Sequence, residues 1–214
     1  EIRGTNIEVL ASDPSNPVAG QVWYNSTDNV LKGSAGALTF AWATKNAINT
    51  ARYGLRGAGT AASTIVFGGE PPKTGKTESY NGTNWTEVND MNETRKNFGG
   101  AGTSTSAMAC GDEALTANTE TWNGTNWTEV NNLNTDRRRN TAAFGAGNTS
   151  GITFGGFSPA PGPSGSNIII TEQWNGTNWT EVNDMNTGRV LMAGTGIVTA
   201  ALAIGGESPR TAKT

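Results

Sequence analysis

The chain has 214 residues, 15% of them charged, and a formal net charge of −3. That length suits one sizeable domain, and so little charge, with no clustered basic face, argues against nucleic-acid binding. Histidine is absent and Cys110 is the single cysteine, which excludes the commonest general base and metal ligand, an internal disulfide and a thiolate zinc cage.

No cofactor and no bound metal are expected, and no apolar run reaches the length of a membrane-spanning helix. Hydrophobic residues make up only 35%, with glycine, threonine, asparagine and alanine filling the space. Seven Trp and six Phe recur at repeated positions and need burial, which argues against disorder. The composition predicts an all-β protein with many tight turns. The chain opens on Glu1 rather than methionine, so further sequence is expected at either end.

Residues 1–20 read as an extended arm. Ile7 and Val9 alternate in a short strand, and Pro14 and Pro17 then break any ladder. An arm ahead of a compact domain is a docking element; the plain alternative is a terminal tail. Residues 21–32 predict a hairpin, with Val22-Trp23-Tyr24 and Val30-Leu31-Lys32 flanking the turn-rich Asn25-Ser26-Thr27-Asp28-Asn29.

Repeats begin at about residue 38 and fill the chain to 214. The phrase Asn81-Gly82-Thr83-Asn84-Trp85-Thr86-Glu87-Val88-Asn89 returns unchanged at Asn123–Asn131 and Asn175–Asn183. Trp42, Trp85, Trp127 and Trp179 are each followed ten positions later by an arginine: Arg52, Arg95, Arg137 and Arg189. After each arginine comes a Gly/Ala/Thr-rich run, then a short apolar strand closed by Gly68-Gly69, Gly111-Asp112, Gly155-Gly156 or Gly205-Gly206. A variable loop leads into Glu78-Ser79-Tyr80, Glu120-Thr121-Trp122 or Glu172-Gln173-Trp174, and the phrase starts again.

The Trp-to-Trp spacings are 43, 42 and 52, the last lengthened by a Pro/Gly-rich insertion over 157–167. Four β-type runs per period, with no helical periodicity, predict four-stranded propeller blades. The small-residue run is the innermost strand, where space is scarce. The Gly pair permits positive φ, and Asp112 is expected to tolerate the left-handed conformation in place of the second glycine. Tyr80, Trp122 and Trp174 are expected to pack on Trp85, Trp127 and Trp179 across the outer hairpin.

The repeated arginines have two readings. Each pairs with its own repeat's glutamate or caps carbonyls, the structural reading and the one favoured, or their heads converge on an anion. Arg137-Arg138-Arg139 reads as a solvated basic face. Glu87, Glu129 and Glu181 recur, which argues against a unique catalytic pair. Cys110 occupies the position of Phe67, Phe154 and Ile204 and reads as a small buried hydrophobe. Most of the Asn-x-Thr/Ser triplets coincide with the hairpin turn, which explains them without glycans.

The Gly pair, the Glu-x-aromatic strand, the Trp strand with its Asn-rich tail and the following arginine resemble kelch repeats over residues 38–214; Asp112 and the long insertion depart from the pattern. The resemblance implies a kelch-like β-propeller. It has four blades if the N-terminal hairpin and the Trp42 strand complete the fourth, and more if the chain continues past Thr214. Copper oxidases of that kind use His ligands, which this chain lacks. The repeated NGTNWTEVNDMNT, the GGAGT run and the leading DPSNPVAGQVWYNSTDNVLKG also resemble virion proteins of tailed phages, marine ones especially.

That second likeness implies a non-enzymatic virion structural protein, displayed on the particle surface in a tail, fibre or capsid-decoration position. Its expected partners are other virion proteins through the arm, with homo-oligomerisation left open. The alternative is a module that recognises a host-surface glycan or protein through the variable loops at 70–77, 113–118 and 157–167. An enzyme of lyase or hydrolase type would require a unique carboxylate cluster in one pocket.

Overall fold

The computed structural model describes residues 7–16, 21–34, 44–144, 148–159 and 166–207. The chain divides into two compact parts, Glu1–Thr44 and Lys45–Thr214. Among the described residues every regular element is a strand, and no helix is long and apolar enough to cross a membrane.

In the first part, β1 (Glu8–Leu10) pairs in parallel with β2 (Val22–Asn25), which forms the expected hairpin with β3 (Val30–Gly33). The described stretch of the predicted arm, 7–16, carries a strand bonded to the hairpin. The Asn25 side-chain oxygen accepts from the backbone N–H of Thr27 and Asp28 at 3.0 and 2.9 Å and closes the turn. Asp13 gathers this part: its carboxylate accepts from Trp23 Nε1 at 3.1 Å, Asn25 Nδ2 at 2.8 Å and Lys32 Nζ at 2.8 Å.

The second part is three four-stranded antiparallel sheets and a two-stranded one. The first sheet is β4 (Arg56–Thr60), β5 (Ser63–Phe67), β6 (Thr77–Tyr80) and β7 (Trp85–Val88). The second is β8 (Gly99–Thr103), β9 (Ser106–Cys110), β10 (Thr119–Trp122) and β11 (Trp127–Val130). The third repeat opens with β12 (Thr141–Phe144) and β13 (Gly151–Phe154), and its insertion carries the small hairpin β14 (Phe157–Ser158) and β15 (Ser166–Asn167). β16 (Thr171–Trp174) and β17 (Trp179–Val182) complete its sheet, and β18 (Ala193–Ile197) pairs with β19 (Ala200–Ile204).

Inner strands stand in a row, β4 beside β8, β8 beside β12 and β12 beside β18. Glycine is required there: a Cβ on Gly99 would lie 2.4 Å from Asn140 Nδ2, and one on Gly100 would lie 3.0 Å from the Arg56 Cβ. A chain of backbone hydrogen bonds links the repeats at one end of this row. Asn97 donates to the Gly54 carbonyl, Arg139 to Asn97, and Leu191 to Arg139, at 3.0, 2.6 and 3.1 Å. These four equivalent residues all have positive φ, between 52° and 67°. The row is curved tightly enough for Arg56 Nη2 of the first repeat to reach the Asn140 carbonyl of the third, at 3.5 Å.

Between sheets lie aromatic and aliphatic side chains. Ile65, Phe67, Met91, Ala107, Ala109, Trp122 and Trp127 form one buried cluster, and Met108, Cys110, Leu133, Trp174 and Trp179 form the next. Cross-strand ring pairs sit as expected, with centroids 4.9 Å apart for Tyr80–Trp85, 5.6 Å for Trp122–Trp127 and 5.4 Å for Trp174–Trp179.

Asp112 departs from its expected role. The second glycines Gly69, Gly156 and Gly206 have φ of 105°, 104° and 86°, whereas Asp112 is absent from the positive-φ residues. Its side chain works instead as a cap: Oδ1 accepts from Lys96 N at 2.9 Å, and Oδ2 accepts from Ala114 N at 3.2 Å and from Lys73 Nζ.

Two outcomes follow from these environments. Hydrogen bonds from Lys32, Asn25 and Trp23 hold the Asp13 carboxyl down at about 2 against an ordinary 3.8. A depressed folded value means the carboxylate stabilises its part above about pH 4 and loses that contribution as pH falls through about 2. The Trp23 indole N–H resonance should shift across that acid window in the wild type, and Asp13→Asn should abolish the transition. Burial pushes the Cys110 thiol up to about 11. Iodoacetamide at about pH 8 should leave native Cys110 unmodified and alkylate it in urea; labelling of the folded chain at a free-thiol rate would contradict its burial.

Candidate functional site

The linkers before β4, β8 and β12 carry Arg52, Arg95 and Arg137 into the interior. Arg95 and Glu120 are each 0% exposed, and so are Arg137 and Glu172, while Arg52 and Glu78 are 1% and 0% exposed in their side chains. Arg95 Nε and Nη2 donate to Glu120 Oε1 at 3.2 and 3.1 Å, and Nη1 donates to the Gly111 and Asn118 carbonyls at 3.0 and 2.7 Å. Glu120 also accepts from the backbone N–H of Asn92 at 2.7 Å and of Glu93 at 3.2 Å, and from Asn92 Nδ2 at 3.1 Å. The clasp recurs with Arg137, Glu172 and Asn134, and in a sparser form with Arg52, Glu78 and Asn49, where Arg52 donates to Glu78 through Nη1 alone and its Nε and Nη2 find no partner among the described residues. Burial lowers the Arg137 pKa, and the Glu172 charge beside it works the other way.

The arginine heads therefore sit on separate glutamates within their own repeats and do not converge on a shared anion site. Among the described residues, Arg189 Nη1 donates to the Gly205 carbonyl, at 3.0 Å. The glycine pairs serve these clasps. A Cβ on Gly111 would lie 2.5 Å from the Arg137 carbonyl, one on Gly155 2.7 Å from that of Arg189, and one on Gly68 2.8 Å from that of Arg95. Gly69, Gly156 and Gly206 are similarly crowded, and Gly205 alone of these has nothing within 4 Å.

The outer tryptophans join neighbouring repeats. Trp127 Nε1 donates to Thr77 Oγ1 of the preceding sheet at 3.0 Å, and Trp179 Nε1 to Thr119 Oγ1 at 3.2 Å. Trp85 is half-buried and donates to the Asn46 carbonyl at 2.9 Å. Trp42 lies outside the described residues. The turn asparagines Asn81, Asn123 and Asn175 each accept two backbone N–H bonds through the side-chain oxygen, so the Asn-x-Thr triplets are turn chemistry.

Two roles were missed in the sequence. Asn46, Asn89 and Asn131 donate to the Thr and Asn of the adjacent phrase, at 2.9 and 2.8, 3.0 and 2.7, and 3.0 and 2.8 Å. Their fixed position four residues after Trp was the signal. The left-handed residues Asn97, Arg139 and Leu191 share only a position two after the repeated arginine, and Leu and Arg carry no chemical hint of that conformation.

The loop end differs from a solvated basic face. Arg137 is buried, while Arg138 and Arg139 both hold Glu113, at 3.0 and 3.3 Å, and the Arg138 guanidinium lies 4.7 Å from the centre of the Phe157 ring. The left-handed backbone at Arg139 brings its head onto the same glutamate as Arg138, while Arg137 turns inward. Lys96–Glu70 at 2.6 Å and Lys73–Asp112 add to the same set of ion pairs. The variable loops at 70–77 and 113–118 are thus pinned to neighbouring repeats, whereas 160–165 of the third loop lies outside the described residues. Two equivalent grooves of about 240 Å³ each run between neighbouring hairpins, lined by Val88, Asn89, Trp122, Gly124 and Thr125 and by Val130, Asn131, Trp174, Gly176 and Thr177. Among the described residues no three metal-ligating side chains gather.

No protein-family model matches the chain, and no curated protein matches it.

Removing the carboxylate from one clasp leaves its arginine buried and unpaired. Glu120→Ala should lower unfolding free energy by about 3–5 kcal/mol in urea titrations, while Glu87→Ala, which breaks only the exposed pair with Lys76, should leave the midpoint unchanged.

Proposed function

We propose that this chain is a non-enzymatic structural protein of a tailed-phage virion: a kelch-like propeller displayed on the particle surface, with the N-terminal segment engaging neighbouring virion proteins. The observation that carries the reading is the use of one clasp and one hairpin in successive repeats. The buried arginine–glutamate pairs of the described residues are spent on holding sheets together, in copies, and that use supports a scaffold rather than a catalytic pocket. The wording of the repeats and of the leading segment, which resembles phage virion proteins, supplies the particle.

Propeller geometry is part of the proposal. Inner strands packed side by side, the hydrogen-bonded belt through Gly54, Asn97, Arg139 and Leu191, and the reach of Arg56 to Asn140 all support blades converging on an axis. Four blades follow if the ring closes on the repeats described, and more if further repeats join.

A second reading, recognition of a host glycan or protein, draws on the loop end. Ion pairs between repeats hold those loops in a fixed shape, and a preorganised surface loses less entropy on binding. Tyr53, 64% exposed beside Glu70, offers an aromatic face there.

Mass spectrometry of gradient-purified particles should find the chain at a fixed stoichiometry, and antibodies against residues 45–207 should decorate the particle exterior in electron micrographs. Absence from purified particles would overturn the virion reading. Binding of the isolated chain to host cells, lost on Tyr53→Ala, would favour the recognition reading.

A further inference from the structure

The belt through the inner-strand entries carries a different residue in each repeat, at the end of the sheets that bears the variable loops. The Gly54 carbonyl accepts from Asn97, and the Asn97 carbonyl accepts from Arg139. Chains joined by such bonds lie about 5 Å apart, so Gly54 and Arg139 bound a strip about 10 Å wide. Tyr53, 64% exposed, precedes Gly54 and offers an aromatic face at one side of the strip. The Arg139 side chain, 39% exposed, stands at the other. Asn97 lies between them, its Oδ1 3.1 Å from where a Cβ on Gly54 would sit.

Positive charge is in excess along this strip, in a chain whose formal charge is −3. Arg138 and Arg139 share one carboxylate, that of Glu113, which also accepts from Asn97 Nδ2 at 3.2 Å. Arg139 holds it through Nε and Nη2, at 3.4 and 3.3 Å, and Nη1 is uncommitted among the described residues. Lys96 is already matched by Glu70, at 2.6 Å. Arg56 adds a further guanidinium from the inner side. It stands where the other repeats have Gly99, Thr141 and Ala193. Its hydrogen bonds go to the Leu55 and Asn140 carbonyls, at 3.4 and 3.5 Å, rather than to a carboxylate. Burial lowers its pKa, a cost that a nearby anion offsets.

We propose that this strip binds an acidic saccharide, one that bears a carboxylate on its ring. The apolar face of the sugar stacks on Tyr53, its hydroxyls bond to the Asn97 amide and the Glu113 carboxylate, and its own carboxylate lies on the Arg139 guanidinium. Arg56 adds positive potential behind it. The excess beside Glu113 is one charge, which a monovalent carboxylate matches and a phosphate dianion exceeds. A peptide would need an open strand edge or a groove, and here the backbone is already bonded from repeat to repeat. The belt holds the three side chains in place before binding, which limits the entropy lost. This site deepens the recognition reading and rests on it.

The full chain is titrated with glucuronate, glucose and inorganic phosphate, and backbone amide resonances are followed by NMR. Glucuronate should give saturable shifts centred on Tyr53, Asn97 and Arg139, at an affinity at least about tenfold above that of glucose, which lacks the charge-assisted hydrogen bond. Arg139→Gln should bring glucuronate down to the level of glucose, and Tyr53→Ala should weaken both sugars. Amide resonances away from the strip report that each variant is folded. No saturable binding of glucuronate, equal affinity for glucose, phosphate binding as tight as glucuronate, or shifts centred elsewhere would each overturn the proposal. Adhesion to host cells that soluble glucuronate fails to displace would sink this site and leave the recognition reading standing. Saturable glucuronate binding by a chain that adheres to no host cell would sink the recognition reading alone.

Discussion

A guanidinium and a carboxylate, both withdrawn from water, hold each complete repeat together. Taking two charges into a protein interior costs several kcal/mol per ion unless every remaining donor and acceptor is met. Here they are met. Glu120 accepts from Arg95 Nε and Nη2, from two backbone N–H groups and from an asparagine amide, while Arg95 Nη1 turns to two carbonyls. The pair thereby fixes four pieces of chain at once: the linker, the inner-strand entry, the glycine turn and the third strand. Apolar packing of the same volume would hold them equally well and with less directional constraint. The ion pair sets register, and a one-residue slip of any of the four would leave a charge unpaired.

Register inside a repeat is then passed sideways. Trp127 and Trp179 carry an indole N–H across to the threonine of the preceding sheet, and Asn89 and Asn131 tie adjacent hairpin loops. At the opposite end the belt of left-handed residues does the same through backbone alone. Nearest-neighbour coupling of this kind makes each repeat depend on the next, as in other repeat architectures. The terminal repeats show the consequence: Phe67 and Ile65 are 0% and 1% exposed, while their counterparts Ile204 and Leu202 are 49% and 59% exposed.

How much of this was legible follows from what each position must do. Strand order, the outer hairpin and the crowded inner strand were readable because glycine, asparagine and aromatic residues answer to local geometry and recur at one spacing. Pairing of arginine with glutamate was one of two readings, because spacing alone does not say whether four like charges diverge or converge. Asp112 was misjudged for a related reason. Its side chain both tolerates left-handed backbone and caps N–H groups, and only the presence of Lys96 N and Ala114 N within reach selects capping. Arg138 and Arg139 looked solvated because Glu113, which neutralises both, belongs to a loop that varies between repeats. Leu191 in a left-handed conformation was beyond reading, since what puts it there is a carbonyl of the neighbouring repeat.

The same division separates scaffold from function. Residues that recur are consumed by hydrogen bonds and packing within and between repeats, so their chemistry is already committed: Cys110 is a buried thiol, Glu78, Glu120 and Glu172 are clasped, and the turn asparagines are bonded to backbone. Function must then reside in whatever breaks the repetition. The variable loops are such a place, tied at one end by ion pairs that differ from repeat to repeat. They give a surface whose shape is fixed by the scaffold and whose content is not.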